Sequence, residues 1–130
     1  MTSSLLELSF KLARIGAALS LAITVAGTLT PAEDLPSGLP PDVLLHIVGF
    51  GVPTLLAAFS TRRGRGFLRA VAIIALAAVA SELAQALIPG RTVSVFDLAA
   101  NLVGMALGAA LGWALQRLFL GLAVAPSGQS

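Results

Sequence analysis

Apolar residues in this chain gather in four long runs separated by short polar or proline-rich breaks. The runs cover about residues 13–29, 43–59, 67–88 and 95–115, the third holding an unbroken apolar stretch over 70–80. Each is near the roughly 20 helical residues that cross about 30 Å of hydrocarbon. The breaks read as loops. Residues 31–41 carry prolines at 31, 36, 40 and 41 with Gly38, Glu33 and Asp34; residues 60–66 form a basic turn; Pro89-Gly90 stops the third run. Pro53 inside the second run predicts a kink.

Composition narrows the class. The 130 residues are 57% hydrophobic and only 11% charged, with a mean hydropathy of +0.95. A soluble domain of this size carries about a quarter charged residues, so a soluble fold and a disordered chain are both disfavoured. With no cysteine, a disulfide scaffold is excluded too. The expected architecture is all-α: a polytopic membrane protein, one domain over 1–130, built as a bundle of four transmembrane helices. A basic leading edge before the first run resembles a signal peptide, but no clean small-x-small cleavage site follows, and an uncleaved first span is expected.

Charge placement gives the orientation. Lys11, Arg14, Arg62, Arg63, Arg65, Arg69 and Arg117 fall on one side of the spans and Arg91 alone on the other. The positive-inside rule places both termini and the arginine turn in the cytoplasm. Trp113, one turn before Arg117, suits the cytoplasmic interface. The arginine turn reads as a topology signal, and no nucleic-acid partner is expected.

The remaining polar residues meet at the outer ends of three spans, where converging faces would enclose one polar pocket. Asp42 and His46 are four apart, Glu82 and Gln85 three apart, Asp97 and Asn101 four apart, so each pair shares a helix face, and Arg91 follows in the loop. Asp42 and Asp97 also suit a helix start, Asp42 as an N-cap and Ser94 with Asp97 as a capping pair. Glu82 does not. It lies near a helix C-terminus, where the dipole disfavours a carboxylate, so Arg91 or a protonated His46 is expected to compensate it. Gly104, Gly108 and Gly112 repeat every four residues and predict close helix packing, with Gly16 and Ser20 a weaker version on span one.

The pattern Asp42-x3-His46, Glu82-x2-Gln85-x3-Pro89-Gly90-Arg91, Ser94-x2-Asp97-x3-Asn101-x2-Gly104 resembles the VanZ family of small bacterial membrane proteins. The resemblance covers about half the chain, 42–104, and maps Asp42, His46, Glu82, Gln85, Arg91, Asp97 and Asn101 onto the family's signature polar residues. It implies a multi-pass protein of the bacterial cytoplasmic (inner) membrane and a link to low-level resistance to the glycopeptide teicoplanin. Val43 stands where the family usually has a basic residue, and Leu87 where an aromatic is common.

Intramembrane ionisable groups cost about 2.5–3.5 kcal/mol each on insertion scales, so a cluster of them points to function. Three readings follow. The favoured one is a binding site for a membrane lipid or a lipid-linked or glycopeptide envelope ligand. The second is an enzyme on a lipid-linked substrate, in which His46 and the carboxylates act as acid and base or hold an oxygen-preferring divalent cation. The third is purely structural or partner-docking. No cofactor and no metal is assigned, and the small-residue face left on span one is compatible with an oligomer.

Overall fold

The computed structural model describes residues 3–124, with side chains to 122. Four helices follow one another: α1 (Ser3–Thr28), α2 (Asp42–Ser60), α3 (Arg65–Gln85) and α4 (Val95–Val124), with a short 3₁₀ turn at Ala32–Asp34. All four are long and apolar enough to cross a membrane, and there is no strand among the described residues. The helices outrun the hydrophobic runs. α1 begins ten residues before residue 13 and carries Lys11 and Arg14 within it, and α4 continues nine residues past 115. α3 is shorter: residues 86–88 leave the helix in a tightened turn, each N–H bonding the carbonyl three residues back.

The seam between α2 and α4 is the most extensive in the bundle. Its cause is the glycine row. A methyl group on Gly104 would overlap the Ile47 carbonyl, one on Gly108 the Gly51 carbonyl, and one on Gly112 the Leu55 carbonyl. The two backbones therefore touch along three successive turns, which any larger residue would prevent. Phe50, Ala57, Ile74, Ala78 and Met105 form the buried core beside that seam. α3 touches each of the other helices sparsely, and α1 packs mainly on α2.

Pro53 lies inside α2, which runs through it as one element. Proline has no N–H, so the Gly49 carbonyl loses its helical partner. Thr24 of α1 supplies the replacement: its hydroxyl lies 2.9 Å from the Gly49 oxygen and also bonds Ser20 of its own helix at 2.9 Å. A Cβ on Gly49 would press on Thr24 Cγ2, so the glycine and the threonine together seat α1 against α2.

The end holding residues 60–64 is closed by side chains that cap α2. Arg14 donates to the Ser60 carbonyl at 3.3 Å, and Gln116 to the Phe59 and Thr61 carbonyls at 2.7 and 3.1 Å. Phe10, Phe59 and Phe119 stack edge to face there. Arg63 lies 4.1 Å above the Trp113 ring, which also packs on Phe67.

Candidate functional site

The sequence-selected polar residues all lie at the opposite end, but not as one pocket: they divide into three groups with different partners. The first joins α2 to α4. His46 is 3% exposed and Asn101 fully buried, and the His46 Nδ1 lies 2.8 Å from the Asn101 Oδ1. An amide oxygen only accepts, so Nδ1 carries the proton in this contact, and in the neutral imidazole the lone pair then lies on Nε2. That Nε2 faces Asp42 Oδ1 at 3.9 Å. Asp97 completes the group: Asp42, His46 and Asp97 each bring a ligating atom within 4.8 Å of the others.

Asp42 is not the N-cap of α2. Pro41 holds that position, without a side-chain capping bond, and Asp42 is the first helical residue, half exposed. Its carboxylate complements the helix dipole while staying free to point at His46.

The second group joins α3 to α4 and corrects the partner expected for Glu82. Its Oε1 accepts the backbone N–H of Ser94 at 2.6 Å, and among the described residues no cation contacts it. Ser94 precedes α4 and its hydroxyl accepts the Asp97 N–H at 3.2 Å, as an N-cap does. The carboxylate disfavoured at the end of α3 is thus held at the positive end of α4. This also decides Asp97. In a full capping box the acid three residues on would take the N-cap N–H, but Glu82 has taken it, leaving the Asp97 carboxyl to the first group. Glu82 Oε2 and Asn101 Nδ2 are buried without a hydrogen-bond partner.

The third group ties the 86–94 connection to α1. Gln85 donates to the Thr28 carbonyl at 2.9 Å, and Arg91 to the Thr30 and Gly27 carbonyls at 3.0 and 3.2 Å, closing the C-terminal end of α1. Arg91 is aimed there by the Pro89-Gly90 turn, in which Gly90 takes φ +72° and the Arg91 N–H bonds the Ile88 carbonyl. Its guanidinium also reaches Asp42 Oδ1 at 3.7 Å, which links the third group to the first.

Hydropathy placed α1 in the membrane but gave it no part in the site; the structure gives it a wall. A groove of about 360 Å³ runs between α1 and α2 under the 31–41 loop. Ile23, Leu39, Leu45 and Val48 line it, and Asp42, His46 and Arg91 close one end. Ile23 and Val48 are exposed, so the groove opens sideways between the two helices. The sequence held one usable signal for it, the Thr24-x2-Gly27-Thr28 spacing of small and polar residues along one helix face.

Four helices long and apolar enough to cross a membrane, with a buried polar cluster at one end, fit a small multi-pass membrane protein. A model of the VanZ/LLP1 family matches residues 20–119, and the chain belongs to that family. Comparison with curated proteins and with solved structures gave no match.

Proposed function

We propose that this protein binds an amphiphile of the bacterial envelope, a lipid or lipid-linked intermediate, at the outer face of the cytoplasmic membrane. The groove between α1 and α2 carries this reading: an apolar slot, open to the side, that ends on Asp42, His46 and Arg91. A slot of that character takes an acyl or prenyl chain along its length and a polar head at its charged end. The orientation rests on the arginines, seven of the chain's eight basic residues falling at or near the other end. The implied link of the family to teicoplanin resistance fits such a ligand, since a lipoglycopeptide and the wall precursors it binds are amphiphiles of the same kind.

The groove itself supplies the test. Gly27 lines it, and a Cβ there meets nothing within 4 Å, so the side chain of Gly27→Leu starts in open space and is expected to fill the slot. Native mass spectrometry of protein extracted gently from its own membrane is expected to show a discrete bound lipid on the wild type. Gly27→Leu is expected to lose it while keeping the wild-type melting temperature. Identical bulk-lipid adducts on both proteins would overturn the proposal.

A further inference from the structure

We infer that Asp42, His46 and Asp97 form a binding site for a divalent cation of the Zn²⁺ or Mn²⁺ kind, placed at the charged end of the groove. The inference deepens the amphiphile reading and rests on it for what the cation meets: Asp42 and His46 both line the groove. A cation held between them stands where an anionic headgroup would arrive.

Three observations converge. The ligating atoms of the three residues lie within 4.8 Å of one another. Ligands sharing one such cation at 2.0–2.2 Å stand about 3–4 Å apart, so small side-chain rotations close the set. The second is the histidine's orientation. Metal-bound imidazoles characteristically donate their other N–H to an oxygen acceptor, which fixes the tautomer. Asn101 does this for His46, presenting the Nε2 lone pair toward Asp42. Asn101 is fully buried and its Nδ2 has no partner, so the amide that orients the histidine has a donor left over for a ligand or its bound water.

The third is what Asp42 lacks. Its Oδ1 stands 3.9 Å from His46 and 3.7 Å from Arg91, both beyond hydrogen-bond length, and Arg91 is already committed to the Gly27 and Thr30 carbonyls. Asp97 is freed by Glu82's hold on Ser94. Two carboxylates and one neutral imidazole balance a double positive charge, and a mixed nitrogen–oxygen set favours Zn²⁺ or Mn²⁺ over Mg²⁺ or Ca²⁺. With three protein ligands the site keeps open positions, which a phosphate oxygen of the headgroup can fill.

His46 is the only histidine in the chain and there is no cysteine, so the site can be read without background. The test uses full-length, tag-free protein labelled with ¹⁵N-histidine in detergent micelles. Without metal, the imidazole is expected as the Nδ1–H tautomer. ZnCl₂ is expected to shift Nε2 saturably at one equivalent, and MnCl₂ to broaden the same signals. Asp42→Asn and Asp97→Asn are each expected to weaken Zn²⁺ binding at least tenfold, with metal-free histidine signals like the wild type. Asp34→Asn, an exposed loop acid, is expected to leave it unchanged. An Nε2–H tautomer, no saturable shift, or wild-type Zn²⁺ affinity retained in both cluster variants would overturn the site. Native mass spectrometry separates it from the amphiphile reading: lipid retained after EDTA with no Zn²⁺ uptake overturns the cation alone, whereas Zn²⁺ taken up by lipid-free protein supports the cation alone.

Discussion

The two ends of the bundle are built from similar residues and put them to different use. At the arginine-turn end, Arg14 and Gln116 each finish a helix carbonyl, and Arg63 lies on Trp113. Charged and amide side chains there serve as caps and anchors. At the other end Gln85 and Arg91 cap α1 in the same way. Beside them, however, Asp42, His46 and Asp97 bring together more ligating atoms than they bond to one another. Buried polar groups in an apolar bundle that leave hydrogen-bonding capacity unspent carry a desolvation cost. Among the described residues, the cluster end keeps Glu82 Oε2 and Asn101 Nδ2 buried and unpartnered, and the capped end only Trp113 Nε1.

The sharpest way to break that contrast uses the glycine seam, which runs to both ends. Gly104→Ala drives a methyl group into the Ile47 carbonyl beside His46, and Gly112→Ala does the same at Leu55 near the arginine turn. Each is expected to cost about 3 kcal/mol, at the upper end for overpacking because the obstacle is backbone. Thermal unfolding in detergent would read both losses. Only Gly104→Ala should also disturb the His46 signals; equal disturbance by both would mean the two ends are not independent.

A smaller effect comes from exchanging cap for cluster. Gln116→Ala exposes two carbonyls at the end of α2 and is expected to destabilise by about 1–2 kcal/mol, with ligand binding intact. Asp97→Asn should do the reverse, keeping the Asp97 N–H to Ser94 bond and the melting temperature while weakening whatever binds at the cluster. A large stability loss in Asp97→Asn would make the cluster a fastening. The smallest effect belongs to Arg63→Gln, about 0.5–1 kcal/mol from the lost contact with the ring. As Trp113 is the only tryptophan, its fluorescence reports that change directly.

Much of this is legible in the amino-acid sequence. Four helices, their order and the end at which the polar residues meet all follow from hydropathy and from spacings of three and four, because a helix repeats its faces on that period whatever it packs against. The glycine row announced a close approach for the same reason. Partner assignments were not legible. Glu82 sits on the N-terminus of α4 instead of beside a cation, Arg91 spends itself on α1, and Thr24 answers Pro53 from 29 residues away. Each depends on how one helix is rotated and shifted against another, and local patterns do not encode that.

The sequence by itself determined which residues had to leave the lipid, since transfer cost belongs to the side chain. Only the tertiary structure decided which of those residues satisfy one another and which remain available. Capping bonds are settled by the few atoms within hydrogen-bond reach, and four rigid helices set that reach jointly. Asp97 is the clearest instance: its helix position marks it as half of a capping pair, and a glutamate on a different helix releases it.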